Sequence, residues 1–435
     1  MRELEIPSPS LVLIWGCEGS GAGAFAERLF GARALRARTF RRAVSGEADA
    51  PRWAGPFAAS VLATVAERRA RGASGLPLAV EFEPWEGHDP TAFSTIARRA
   101  GLPCRVLALS VPARRCRARR PDLSVEETSA QRKRFDQALG ELRKRKGVSV
   151  EVLAHPDQIT GWRGRPLACD RRDERGPFDL IGDVHGCYEE LVLLLGQLGY
   201  TRDDAGGYQH PEGRRLVFLG DFTDRGPRNL DALRLVMRAV AGGALAVRGN
   251  HDDKLRRYLA GRKVSISHGL QVTVDELEAL PEGEALPFRT AVEDFLADLP
   301  SHLVLDGGDL VAVHGGLEER LIGREGGRVD SFALYGDPSG KLDADGYPER
   351  RDWAQAYRGP AWIAYGHTPI GHAAWRHRTI CIDQGCVFGG ALSALRWPER
   401  TTLCVPAQSS HSPPRGSFRP LLLAPLAGAP APDWP

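Results

Sequence analysis

The chain lacks any pair of cysteines at C-x-x-C spacing, and its eight cysteines show no zinc-ligand pattern. A zinc ribbon and a thioredoxin-type redox motif are thereby excluded. The thiols are scattered, with Cys104, Cys381 and Cys404 in or beside expected strands, the pattern of buried free thiols in a reducing compartment. Long apolar runs are missing too. Stretches such as Leu191–Leu195 and Leu421–Leu423 fall far short of the roughly 20 residues that cross a bilayer. The N-terminus has no basic, apolar and small-residue succession of a secretory signal. These absences lead to the expectation of a cytoplasmic protein with no membrane partner. There is little excess charge: the net value is +3, so the molecule as a whole is not a polycation. Arginine does cluster locally, at Arg36–Arg42, Arg114–Arg120 and Arg132–Lys146. Such runs are solvated faces or patches that attract phosphate backbones. No internal repeat is present.

What remains is an ordinary globular composition, 42% hydrophobic and 26% charged over 435 residues. That length suits two or three domains at roughly 150 residues each. Leu11–Trp15 is a short apolar run ending in the glycine-rich turn Gly16–Gly23, with helix-like sequence after it at Phe25–Phe30. Strand-like runs at Leu78–Phe82, Val106–Val111 and Val148–Leu153 alternate with helical stretches at Arg52–Arg71, Thr91–Ala100 and Val125–Lys146. Strands alternating with helices indicate a parallel α/β domain, expected over residues 1–158, and residues 159–176 read as a linker. A second α/β pattern, expected over residues 177–408, runs through strand Phe178–Ile181, helix Tyr188–Leu198, a hairpin near Asp203–Gly213, strand Leu216–Leu219, helix Leu230–Ala241 and strand Leu245–Val247. Short β-like runs follow at Leu303–Leu305, Leu310–Val313, Trp362–Tyr365 and Thr379–Ile382. Residues 409–435, rich in Pro, Ala and Ser, read as a loosely ordered tail.

Polar groups stand at the ends of several of these strands. Gly182-Asp183-Val184-His185-Gly186 comes first, then Gly220-Asp221-Phe222-Thr223-Asp224-Arg225-Gly226 and Gly249-Asn250-His251-Asp252. His314-Gly315-Gly316 and Gly366-His367 complete the series. In parallel α/β sheets ligands bind beyond the carboxyl ends of the strands, and glycine permits tight turns and close backbone approach there. A lone histidine is usually structural, and an Asp after a strand often only caps the next helix. Five such pieces in this order, each beside glycine, point to a built site. Mixed carboxylate, imidazole and amide donors suit Mn²⁺, Fe, Zn²⁺ or Ni²⁺ better than Mg²⁺ or Ca²⁺.

These five motifs resemble the signature of the phosphoprotein-phosphatase branch of the calcineurin-like metallophosphoesterases. The resemblance implies an α/β sandwich binding two divalent ions, Mn²⁺ foremost. Asp183 and His185 would hold the first ion, Asp221 would bridge, and Asn250, His314 and His367 would hold the second. Such a pair stabilises both the attacking and the leaving oxygen of an in-line displacement. His251 would be the general acid, oriented by Asp224. Arg225 would contact the phosphate through its planar fork, with Arg248 a further candidate. Asp383, in Ile382-Asp383-Gln384-Gly385, would orient a ligand or substrate from behind.

Residues 170–192, 216–228, 245–256 and 381–390, with Ser267-His268-Gly269-Leu270 and Phe332-Ala333-Leu334-Tyr335-Gly336, are similar to the phosphatase module of bacterial polynucleotide kinase–phosphatase. That similarity covers nearly all of residues 160–405 and implies hydrolysis of terminal and 2′,3′-cyclic phosphates at RNA ends. A C-terminal ligase module has no room before Pro435, so sealing would fall to a separate partner. The first domain resembles the P-loop kinase of that family with its chemistry removed. Ala22 and Gly23 stand where the phosphate-binding lysine and the Mg²⁺-binding hydroxyl belong, and Arg38 stands in place of the general base. Ala79-Val80-Glu81-Phe82-Glu83 is the Walker-B-like strand. Removing one such group costs about 10²–10³ in rate, so the domain is expected to be a pseudokinase that does not bind ATP. Its role is a scaffold or a module that holds RNA or nucleotide. A Ser/Thr protein phosphatase and a dinucleoside polyphosphate hydrolase stay open, because loops rather than metal motifs choose the substrate. A nucleic-acid adapter with an incidental phosphatase is the reading from another class.

Overall fold

The computed structural model describes residues 1–47, 54–72, 75–82, 90–202, 207–342 and 348–413. Glu83, the first residues of the helix expected from Arg52, part of the Asp203–Gly213 hairpin and most of the tail lie outside them. The chain divides into two compact units, Met1–Leu167 with Arg324–Val329, and Ala168–Gly323 with Asp330–Pro435.

The first unit is built on a five-stranded sheet ordered Leu35–Arg36, Leu78–Phe82, Leu11–Gly16, Cys104–Leu109 and Val148–Leu153. All its pairings are parallel. Leu11–Gly16 lies in the middle and is buried along its whole length, which explains its unbroken apolar sequence. Its neighbour starts at Cys104 rather than Val106, as the buried Cys104 and Val106 place one face of this strand in the core. The segment read as a linker contains a strand, Ile159–Pro166, paired in parallel with Arg2–Ser8. Arg2–Ser8 sets buried Leu4 and Ile6 between exposed Glu3 and Glu5, a short period of two, whereas Ile159–Pro166 shows none. Arg163 pairs with Glu5, so a stretch rich in Gly, Arg and Pro is extended yet mostly exposed.

The second unit is a sandwich of two mixed sheets. One runs Leu245–Ala246, Arg215–Phe218, Phe178–Ile181, Ala391–Trp397, Thr401–Pro406; the other runs His302–Leu305, Leu310–Val313, Trp362–Tyr365, Thr379–Cys381, Trp375–Arg376. Side chains alternate between faces along a strand. Leu180, Val217 and Leu219 accordingly face the inter-sheet core with Leu303, Leu310, Ala364 and Ile380. Ile181, Leu216 and Phe218 face the opposite core, under helices Tyr188–Leu198 and Asn229–Ala241. In both sheets the three strands that carry ligands are parallel or end at the same edge: Phe178–Ile181, Arg215–Phe218 and Leu245–Ala246 in one, Leu310–Val313, Trp362–Tyr365 and Thr379–Cys381 in the other. Among the described residues, no helix is long and apolar enough to cross a membrane.

Candidate metal centre

Each polar motif is the turn leaving one of those parallel strands, so their side chains meet at one end of the sandwich. The turns are tight enough to put His185 (φ 45°), Asp221 (φ 52°), Asp224 (φ 77°), Arg225 (φ 73°) and His367 (φ 71°) in the left-handed region. Non-glycine residues there cost about 1–3 kcal/mol each and persist where surrounding structure holds them. The neighbouring glycines exist because nothing larger fits. A Cβ on Gly249 would stand 2.2 Å from Asp221 Oδ1, and one on Gly366 would stand 2.0 Å from Asp183 Oδ1.

The hydrogen bonds fix which ring nitrogens face the centre. His185 Nδ1 donates to the Thr223 carbonyl at 2.9 Å, and His314 Nδ1 donates to the Leu219 carbonyl at 2.9 Å. Nε2 of each is thereby turned inward. Asp221 Oδ2 lies 3.6 Å from His185 Nε2 and 3.3 Å from His314 Nε2, between the two halves of the site. His314 Nε2 is also 3.0 Å from Asn250 Oδ1 and 3.1 Å from His367 Nδ1. Asp183 accepts the backbone N–H of His367 at 3.1 Å, which joins the two sheets across the site. His251 Nδ1 donates to Asp224 Oδ2 at 2.6 Å, and its ring meets that of His185 edge-on at 4.8 Å. Two clusters of ligand atoms result, His185–Asp221–His251 and Asp221–His314–His367, with Asp221 common to both. Four of the six residues expected to bind metal, His185, Asp221, His314 and His367, fall in these clusters; Asn250 reaches His314 and Asp183 reaches the His367 backbone by hydrogen bonds, and His251, expected as the acid, joins the first cluster.

Burial and mutual repulsion set the charge state. Burial pushes the Asp183 carboxyl well above the usual range, helped by Asp383 and Asp221. The Asp383 carboxyl rises to about 6, again by burial. Burial holds His185 and His367 well below the ordinary imidazole value, with Arg225 and His251 adding at His185, and His314 and Arg350 at His367. Burial also works against protonating His314, yet Asp221 and Asp183 raise it to about 10.

Residues 176–371 match the calcineurin-like phosphoesterase family. A bis(5'-nucleosyl)-tetraphosphatase PrpE (asymmetrical) of Halalkalibacterium halodurans is 49% identical over 232 residues, covering 53% of this chain and 94% of the relative. The enzyme of that name from Geobacillus thermodenitrificans is 48% identical over 237 residues, 54% of this chain and 96% of its own. The one from Bacillus subtilis is 44% identical over 245 residues, 56% and 99%. The chain belongs to the calcineurin-like phosphoesterase family. It is a metal-dependent phosphoesterase.

The donor set of this phosphoesterase fits divalent ions. Inward-facing imidazole bases and carboxylates crowd one buried space, and His367 Nε2 is buried without a hydrogen-bond partner among the described residues. A cation placed there would meet the neutral rings of His185 and His367, take the place of the proton on His314, and favour the ionised form of Asp183 and Asp383 against the burial that opposes it.

The remaining expected site residues divide. Arg225 Nη1 donates to His185 Nε2 at 2.7 Å and its guanidinium lies 5.3 Å over the Phe388 ring, so it stands at the site. Asp383 accepts the Gly385 N–H at 2.9 Å and faces Asp183 electrostatically. Arg248 has Asp253 at 3.6 Å and the Leu299 carbonyl at 3.4 Å among its contacts. Three residues were missed. Asp252 accepts the N–H groups of Asp221 at 2.8 Å, Gly249 at 2.7 Å and Phe222 at 3.1 Å, which locks two turns together. It occupies the third helical position after Gly249, the place of a capping carboxylate, and that spacing was readable. Thr273 donates to Asp224 Oδ1 at 2.6 Å and accepts the Asp224 N–H at 3.1 Å, from a helix no motif announces. Arg350 donates to Thr368 at 3.3 Å, beside His367, and feels the field of Asp221.

Proposed function

We propose that this chain hydrolyses bis(5'-nucleosyl) tetraphosphates off-centre, releasing a nucleoside monophosphate and a nucleoside triphosphate, with two divalent ions, Mn²⁺ foremost. The observation that carries the reading is the extent of the likeness to the tetraphosphatases: 44–49% identity across nearly their entire length. Asp183 and His185 would hold one ion, Asn250, His314 and His367 the other, and Asp221 both. When bound, the ions supply Lewis-acid polarisation of the phosphoryl oxygens and make water at the site more acidic.

The chain's own side chains do the rest. Arg225 and Arg350, one beside His185 and one beside His367, bind non-bridging phosphate oxygens and limit how the phosphorus can sit. The His251 Nδ1–H is held by Asp224, so its Nε2 delivers a proton to the departing oxygen. Thr273 and the Asp224 carboxylate hold that ring in one orientation.

RNA ends are the competing substrate, supported by the similarity of residues 170–192 and 381–390 to the RNA-end phosphatases. The first unit reads as a non-catalytic module, since Ala22 and Gly23 stand at the start of its first helix, Ala22–Phe30, where lysine and hydroxyl chemistry would be needed. A panel decides among these: diadenosine tetraphosphate, 3′-phosphate RNA, 2′,3′-cyclic phosphate RNA and a phosphopeptide, each with Mn²⁺. The reading requires equimolar AMP and ATP from the first, at the highest kcat/KM of the four. ADP as sole product, or a faster rate on either RNA, rejects it.

A further inference from the structure

Helix Asn250–Leu259 opens at the metal centre and carries Lys254 one turn beyond His251. Residues three apart share a helix face. The Lys254 ammonium donates to the Ser267 carbonyl at 2.6 Å and to the Ser267 hydroxyl at 3.1 Å. Burial lowers its proton affinity, Asp224 raises it and Arg225 lowers it again, so the cation lies in the field of the pair that orients the acid and binds phosphate. The Ser267 hydroxyl in turn reaches His268 Nδ1 at 2.8 Å, and His268 is exposed with φ 61°. Gly269 follows, its carbonyl accepting the Arg225 N–H at 3.3 Å. A Cβ on Gly269 would stand 2.5 Å from the Arg225 nitrogen. The segment Ser267–Gly269 is therefore pressed on Arg225, with a lysine and an outward imidazole beside the general acid.

We infer that Lys254, with Ser267 and His268, forms a subsite for the phosphate of the departing nucleotide. The inference rests on the tetraphosphate reading and says where its specificity lies. In off-centre hydrolysis the oxygen of water forms a new bond to phosphorus and a P–O–P bridge breaks. The electron pair stays on the bridging oxygen, which takes the proton of His251, while a proton of the water is released to solvent. Whichever product leaves, that oxygen belongs to a phosphate, with at least one further negative charge on the atoms around it. The alcohol or phenol that departs from a phosphomonoester carries no such further charge. An ammonium one helical turn from the acid complements the first leaving group and is indifferent to the second. The simpler role of Lys254, pinning Ser267 so that Gly269 supports Arg225, would serve every substrate equally.

The two roles separate in a ratio. With the full chain and Mn²⁺, kcat/KM is measured on diadenosine tetraphosphate and on p-nitrophenyl phosphate for wild type, Lys254→Arg and Lys254→Met. Loss of a charge-assisted contact is worth about 10- to 100-fold. The subsite therefore predicts that Lys254→Met lowers the ratio of the two constants by at least about tenfold, and that Lys254→Arg restores most of it. Equal losses on both substrates leave only the pinning role and overturn the subsite, as does an unchanged ratio. A wild type that cleaves p-nitrophenyl phosphate and ignores the tetraphosphate removes the functional reading itself, and the subsite with it.

Discussion

His251 and Asp224 work as one group, since a 2.6 Å bond to a fully buried carboxylate fixes both the ring and its tautomer. A general acid matters in proportion to how poor the leaving group is. Replacing His251 with Ala should cost about 10²–10⁴ in kcat on an alkyl phosphate and much less on p-nitrophenyl phosphate. A leaving-group series measured on the variant checks this, and a loss independent of leaving-group pKa would remove His251 from the acid role. His302 is fully buried, accepts the Gly323 N–H at Nε2 at 3.0 Å, and is pushed down to about 3 by burial, with Arg172 adding to the effect. Above pH 6.5 neither folded nor unfolded chain protonates this ring. Below it the unfolded chain gains a proton that the folded one refuses, so stability falls as pH drops toward 3. The slope is about 1.4 kcal/mol per pH unit. Denaturant melts between pH 6 and 4 should be steeper in wild type than in His302→Gln by about that amount; parallel curves would contradict it.

Among the elements, the strand-end turns were the most legible part of the molecule. Their glycines mark places where two backbones touch, and the ligands follow from strand polarity. The helices Leu270–Glu278 and Glu282–Asp298 and the strand pair Arg2–Ser8 with Ile159–Pro166 were not expected from the sequence. The first helix buries Leu270, Val274 and Leu277 at helical spacing, but nothing in that period announces the bonds of Thr273 to Asp224, while Ile159–Pro166 is mostly exposed and leaves no apolar period to read. Arg350 was hidden for the same reason, because it sits on a hairpin strand, Pro348–Arg351, dominated by charge. The contact between turns yields a test. Gly249→Ala places a methyl group against Asp221, and overpacking of that kind costs about 1–3 kcal/mol. The variant should melt lower and bind metal more weakly, whereas normal metal binding would show the turn is not tight. Nearby, Asp179 is fully buried and shared by Arg214, Arg396 and Tyr200. Asp179→Ala leaves the buried Arg214 guanidinium with Glu399, exposed at its other side, as its ionic partner and should cost up to about 3–5 kcal/mol in unfolding free energy.

At the scale of the whole molecule, the fold class and the metal-dependent chemistry could be read from the sequence, and the substrate could not. The motifs that state the chemistry lie in turns common to many phosphoesterases. Arg350 and Lys254, proposed above to contact the substrate's phosphates, lie outside those turns, and their place beside the site follows only from the folded chain. The parallel sheet of the first unit was legible from its alternating pattern, while what that unit binds is written in no residue singled out by its sequence. The proposed chemistry requires six side chains, Asp183, His185, Asp221, Asn250, His314 and His367, to hold two cations through a shared Asp221. The direct measurement is metal stoichiometry by elemental analysis of protein loaded with Mn²⁺ and freed of excess, for wild type and Asp221→Asn together. Two ions per wild-type chain, with loss of at least one in Asp221→Asn, is the predicted result; fewer than one ion in wild type, or an unchanged count in the variant, contradicts it.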